Sequence, residues 1–275
     1  MVSIPQRQAK EASQSKTTGL LARLGLAVRG LLYLLIGLLA LRIAFGSGGG
    51  EEADNSGAVQ TLARQPGGEI LLWLVVVGLA GLTVWRLAEA AFGAAGPDGH
   101  KASERLGSLA RGVFYAFLFV TTLLFTLGAG DQKSSDSQSK DLTGQAMHDI
   151  PGGRWLVLLV GIGLIAVAGL MAWRALSDKD FMDKLTVTGR AREIVEKLGM
   201  VGYTARSTVY VGAGVFLAYA ALTFDPDKAK GIDGTLRELA DAPAGPWLLT
   251  VLSLGLAVFG VYSCCEARWR RVTPG

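Results

Sequence analysis

The sequence predicts an all-α integral membrane protein: six transmembrane helices, arranged as three tandem helical hairpins with a pseudo-threefold internal repeat. Three observations predict it. Six long apolar blocks lie near 26–45, 69–91, 108–129, 153–176, 202–224 and 245–267. A Gly–Arg–Tyr pattern at steps of four opens every odd block, and a proline-led pattern opens every even one. Each block is close to the roughly 20 residues that cross about 30 Å of hydrocarbon. Lipid offers the backbone no hydrogen-bond partner, so helices are the expected solution.

Bulk composition bounds the remaining choices. Half of the 275 residues are hydrophobic and 18% are charged, against about 25% charged in soluble domains. A net charge of +4, with the basic residues scattered at the ends of apolar runs, gives no nucleic-acid footprint. The two cysteines, Cys264 and Cys265, are adjacent. They point apart on a helix and are poor disulfide partners for each other. No metal spacing can be built from them, and no cofactor motif is present.

Taken in order, the chain reads as an N-terminal arm (1–19), repeat 1 (20–92), repeat 2 (105–177), a connector (178–198) and repeat 3 (199–272). The odd helices begin with "GLAVRGLLY", "GSLARGVFY" and "GYTARSTVY". Thus Gly25-Arg29-Tyr33, Gly107-Arg111-Tyr115 and Gly202-Arg206-Tyr210 correspond. The next step of four is Gly37, Phe119 or Gly214. The even helices begin with "PGGEILLW" at Pro66, "PGGRWLVL" at Pro151 and "PAGPWLLT" at Pro243, and a glycine follows twelve residues later at Gly78, Gly163 and Gly255. Leu62, Met147 and Leu239, each four residues before the proline, suggest a short amphipathic turn on the membrane surface. The six tryptophans fall two to each second helix, near its ends, where tryptophan favours the membrane–water boundary.

Lysine and arginine set the orientation. Nineteen lie on the side of the two termini and eight on the other, so both termini are expected in the cytoplasm. The opposite loops ("GSGGGEEADNSG", "GDQKSSDSQSKD", "DPDKAKGIDG") are polar and rich in glycine or serine, and read as flexible external loops. The charged stretch "GRAREIVEKLG" (189–199) reads as a separate helix on the cytoplasmic surface. His100 and His148 fall on opposite sides and cannot share a metal.

Three copies of Arg-Gly-x-x-Tyr or its close variant, each followed by a proline-led second helix, resemble the bacterial membrane family called domain of unknown function 1206. The endings "VWRLAEA" (84–90) and "CCEARWRR" (264–271) fit it, and the similarity runs from about residue 20 to 272. Ser207 departs from it by replacing the glycine after arginine. The resemblance implies six spans in three tandem units in the bacterial inner membrane, and no established activity.

Three readings of the repeated arginine stay open. Arg29, Arg111 and Arg206 can snorkel to lipid phosphates as boundary anchors, with Tyr33, Tyr115 and Tyr210 one turn along the same face. They can form ion pairs within a unit, Arg29 with Glu89 and Arg206 with Glu266. The equivalent position in unit 2 is Arg174, where such a pair fails unless Asp178, one turn later, substitutes. Or the three faces can converge on a pseudo-threefold axis and make an anion or lipid-headgroup site.

"GIGLIA" (161–166) lies inside a span and reads as close helix packing rather than a nucleotide loop. No nucleophile–base constellation is present, and no carboxylate interrupts the middle of a span, as ion pumps usually require. The expected function is therefore non-enzymatic: a scaffold or accessory protein whose partners are membrane lipids or another membrane protein. The alternative is a small transporter or pore for an anionic solute.

Overall fold

The computed structural model describes residues 16–46, 50–93 and 101–271; most of the expected N-terminal arm, and His100, lie outside them. Among the described residues the chain is all-helical. Six helices are long and apolar enough to cross a membrane: α1 (Lys16–Ala44), α3 (Gly68–Phe92), α4 (Ala102–Thr126), α6 (Gly153–Leu176), α7 (Arg190–Thr223) and α9 (Gly245–Trp269). The protein is thus a multi-pass membrane protein. Even the 24-residue α6 spans about 36 Å at ~1.5 Å per residue, more than the ~30 Å of hydrocarbon.

Three short helices, α2 (Asn55–Ala63), α5 (Ser135–Asp149) and α8 (Ile232–Asp241), each precede the second helix of a unit. A repeated turn makes that junction. Gly67, Gly152 and Ala244 take the left-handed conformation at φ 75°, 74° and 60°. The following residue then donates its N–H back three residues, from Gly68 to Gln65, Gly153 to Ile150 and Gly245 to Ala242. That following position must be glycine: a methyl on Gly153 would lie 1.6 Å from the Ala146 carbonyl oxygen.

The hairpins are joined cyclically. The most extensive helix contacts are α3 on α4, α6 on α7, and α9 on α1. Each second helix therefore leans on the first helix of the next unit, and the third unit closes on the first. Small residues let backbones approach at these seams, as they do in membrane interfaces generally. A methyl on Gly37 would lie 2.8 Å from the Ser253 carbonyl oxygen of α9, and one on Gly214 would lie 2.9 Å from the Gly161 carbonyl oxygen of α6. Within units 1 and 3 the two helices also pack, α1 on α3 and α7 on α9, whereas α4 and α6 of unit 2 barely touch.

The loops opposite the termini are not the independent flexible segments the sequence suggests. Their short helices are laced into a ring by buried or half-buried carboxylates. Asp54 Oδ2 accepts the Ser135 N–H at 2.6 Å, Asp136 Oδ1 accepts the Gly231 N–H at 2.7 Å, and Asp233 Oδ1 accepts the Ala53 N–H at 2.7 Å. Each unit thus holds the next, with the same closure from third to first. We call this the cap end. A methyl on Gly234 would lie 2.1 Å from Asp136 Oδ1, so only glycine admits the neighbouring carboxylate.

Two further expectations change. The stretch 189–199 is not a separate surface helix but the first turns of α7, whose 34 residues reach about 51 Å at ~1.5 Å each. Nothing breaks it, because Gly199 stays helical and receives the Phe181 ring. Trp85 is not at a lipid boundary: it is 2% exposed, while Trp73, Trp155, Trp173 and Trp247 are exposed as expected.

Thermal unfolding in detergent tests the junction and the ring. Ala244→Gly relieves a left-handed alanine and should stabilise by about 1 kcal/mol, whereas Gly153→Ala should destabilise by about 1–3 kcal/mol. Asp233→Ala removes a charged acceptor and should cost about 1.5–3 kcal/mol, with Asp233→Asn recovering part of the loss.

Candidate functional site

The end opposite the cap carries the repeated arginines. Arg29, Arg111 and Arg206 sit at the same level of α1, α4 and α7 because the repeat places them one turn before the tyrosine in each unit. The structure brings all three around one open cavity of about 130 Å³. Arg86, Arg174, Lys184 and Arg270 line the same cavity, with Tyr115 and a single lining carboxylate, Glu104.

The carboxylates near this end decide which cations are neutralised. Glu266, wholly buried on α9, pairs with both Arg29 and Arg270. Arg29 Nε also donates to Ser263 Oγ at 3.2 Å. Glu89 pairs with Arg86 of its own helix at 2.6 Å and accepts from Ser108 Oγ at 3.3 Å. Glu104 pairs with Lys184 at 2.8 Å. The expected pairs Arg29–Glu89 and Arg206–Glu266 do not form. The reason is the cyclic packing: Gly30, next to Arg29, faces α9, where a methyl would lie 2.8 Å from the Gly260 carbonyl oxygen. Arg29 is thereby directed to the third unit's carboxylate rather than to its own.

Arg206 has no carboxylate among the described residues. Its guanidinium donates to the Tyr210 hydroxyl at 3.0 and 3.1 Å and lies over the Phe259 and Tyr33 rings, 5.0 and 5.6 Å from their centroids. The Tyr33 and Tyr210 hydroxyls are 3.1 Å apart. These tyrosines therefore back the cavity and support Arg206, while Tyr115 lines it. Arg111 and Arg174 are exposed, line the cavity, and make no ion pair among the described residues. Arg29 is 5% exposed and so is not a snorkelling anchor.

Seven cations thus line the cavity against the three carboxylates Glu89, Glu104 and Glu266. Sequence reasoning singled out one cation per unit and missed Arg86 and Arg270, which stack on Trp85 at 4.2 and 4.9 Å. The signal was present in "WRLAE" and "EARWR", where an arginine lies within one helical turn of the glutamate on the same helix or just beyond its end. Sequence reasoning bounded the connector at 178–198 but did not show what it touches. Lys184 ties it to α4, and the Thr186 N–H donates to the Trp269 carbonyl at 2.9 Å. The connector therefore straps α6 to α4 and α9 across this end. Among the described residues no group of His, Cys, Asp and Glu could hold a metal ion.

Comparison with known proteins agrees with the repeat. The model of the family described as Domain of Unknown Function (DUF1206) matches three segments, 24–93, 106–178 and 201–270. The chain is also 33% identical over 257 residues to the uncharacterized protein YxxB of Bacillus subtilis (strain 168), covering 91% of this chain and 90% of that one. No solved structure matches. The three-unit helical architecture and the threefold family match lead to one conclusion: this chain belongs to the DUF1206 family of membrane proteins.

Proposed function

We propose that the chain is a non-enzymatic accessory protein of the bacterial inner membrane, with both termini cytoplasmic, whose arginine cavity binds an anionic group at the cytoplasmic face. The observation that carries this is the charge imbalance. Arg111, Arg174 and Arg206 converge on a cavity whose one lining carboxylate, Glu104, is paired with Lys184. Holding three like charges together, with Arg206 half-buried, is unfavourable unless compensated, and a phosphate or carboxylate supplies that compensation through charge-assisted, bidentate hydrogen bonds. The cavity is smaller than the roughly 300–1,000 Å³ of drug-sized sites, which fits a headgroup or small anion. The excess of lysine and arginine on this side supports its cytoplasmic placement.

Transport of an anion would draw on the same cations. Two features weigh against it: the carboxylate ring joins the three units at the cap end, and wholly or nearly wholly buried Leu236, Leu249, Leu256 and Phe259 fill the interior.

Inorganic phosphate titrated against the purified protein at constant ionic strength tests the proposal, with the unfolding midpoint as readout. Phosphate should raise the midpoint, and Arg206→Gln or Arg174→Gln should each weaken the effect by about tenfold or more. Arg64→Gln, exposed at the cap end, should leave it unchanged. A phosphate effect that is absent, or equal in all variants, overturns the proposal.

Removing the buried acid has a separate consequence. Glu266→Gln leaves Arg29 and Arg270 without their shared carboxylate and should destabilise by about 3–5 kcal/mol. Glu238→Gln, which breaks only the half-exposed pair with Lys230, should cost about 0–1 kcal/mol.

A further inference from the structure

The three units are equivalent in sequence but not in packing. In units 1 and 3 the glycine twelve residues after the proline is pressed against the first helix of its own unit. A methyl on Gly78 would lie 2.5 Å from the Val28 side chain, and one on Gly255 would lie 2.4 Å from Ala205 Cβ. The equivalent Gly163 has no such neighbour within 4 Å. The glycine four residues before the arginine behaves the same way. A methyl on Gly25 would lie 2.5 Å from the Gly78 carbonyl oxygen, and one on Gly202 would lie 2.7 Å from Phe259 Cα, but one on Gly107 would meet only its own Arg111 guanidinium at 3.6 Å. Two independent positions therefore show that the hairpin of unit 2 is parted, leaving a cleft between α4 and α6.

The cleft has the composition of a chain-binding groove and a charged head. Phe114 and Phe117 on α4, and Val167 and Leu170 on α6, are 41–56% exposed. Val167 and Leu170 lie seven and four residues before Arg174, on one stripe of α6 that ends at the cavity. On α4, Arg111 holds the equivalent end.

The charge pattern differs in the same unit. At the α9–α1 seam Glu266 neutralises Arg29. The residue equivalent to Glu266 at the α6–α7 seam is Arg174, opposite Arg206, so two cations stand where the repeat elsewhere sets an ion pair. Arg86 and Arg270 add buried, unpartnered Nε groups among the lining residues, and both side chains are more than nine-tenths buried.

We infer that the ligand of this cavity is an anionic membrane phospholipid. Its phosphate takes the place of the missing carboxylate among Arg111, Arg174 and Arg206, and an acyl chain lies in the α4–α6 cleft. The inference rests on the anion-binding reading above and names its ligand class. The shared chemistry is a phosphate, which a soluble anion also carries. The connector strapped across the arginine end favours a ligand arriving from the side, through the bilayer.

The test uses the whole protein in phosphatidylcholine nanodiscs doped with phosphatidylglycerol bearing a photoreactive group at mid-chain. Adducts should concentrate on α4 and α6, and unlabelled phosphatidylglycerol should compete while phosphatidylcholine does not. Gly163→Phe fills open space, so it should leave the unfolding midpoint unchanged while reducing the α4–α6 adduct about tenfold; Gly163→Leu provides a second, smaller filling. The Arg174→Gln/Arg206→Gln pair should reduce it similarly, and annular adducts on the outward face of α9 should not change. Adducts spread evenly over all helices, or insensitive to both Gly163 variants, overturn the lipid assignment. If inorganic phosphate still stabilises in an arginine-dependent way, that result points to a soluble anion and leaves the anion site standing. If phosphate and lipid are both indifferent to the arginines, the two readings fall together.

Discussion

Close backbone contact at the seam between α9 and α1 is the constraint on which the rest depends. It turns a linear series of hairpins into a closed arrangement, because it joins the last helix of the third unit to the first helix of the first. Gly30 and Gly37 on one side and Gly260 on the other clear the space. In a membrane the apolar effect gives little preference for helix over lipid, so van der Waals fit at small residues carries association. The same seam carries Arg29 to Glu266, and with it Arg270. A buried triad of this kind is tolerable only when its geometry is held from several sides. Here it is held by Ser263 within the seam and by Trp85 beneath Arg270.

The two ends of the molecule use opposite electrostatics. At the cap end carboxylates accept backbone N–H groups of the neighbouring unit, and every such bond strengthens the ring. At the arginine end cations outnumber carboxylates, and the surplus is concentrated where unit 2 departs from the repeat. One substitution in the repeat frame, Arg174 at the position of Glu89 and Glu266, does two things. It removes the acid that Arg206 would otherwise meet, and it adds a second cation beside it. Arg206 is left to the hydroxyl and π faces of Tyr210, Tyr33 and Phe259, which hold the guanidinium in place without neutralising it.

Much of this was legible in the sequence. The hydrophobic blocks, the steps of four around each arginine and the proline-led second helices are local patterns, and local patterns survive tertiary packing. The short helix before each proline was readable from Leu62, Met147 and Leu239. What was not legible is which unit each side chain meets. Arg29 and Glu266 are 237 residues apart, and nothing local distinguishes Glu266 from Glu89 as a partner. The choice follows from the face that Gly30 and Gly112 present to the preceding second helix, a face defined only once the helices are assembled. The carboxylate ring was hidden for the same reason: Asp54, Asp136 and Asp233 stand at different distances from the prolines, so the repeat frame does not align them. The parting of unit 2 had no local sign, because Gly107 and Gly163 kept the glycines of a close pair that does not form.

Cysteine pairing tests the closed, parted arrangement most directly. In a background with Cys264 and Cys265 changed to alanine, two pairs are compared under mild oxidation in membranes. Gly37→Cys with Ala257→Cys spans the α9–α1 seam, where a Cβ on residue 37 lies 3.0 Å from that of Ala257, near the roughly 3.5–4.5 Å of disulfides. Ala110→Cys with Gly163→Cys spans the α4–α6 cleft. The account predicts an intramolecular disulfide in the first pair and none in the second. A disulfide across α4 and α6, with none between α1 and α9, would contradict it.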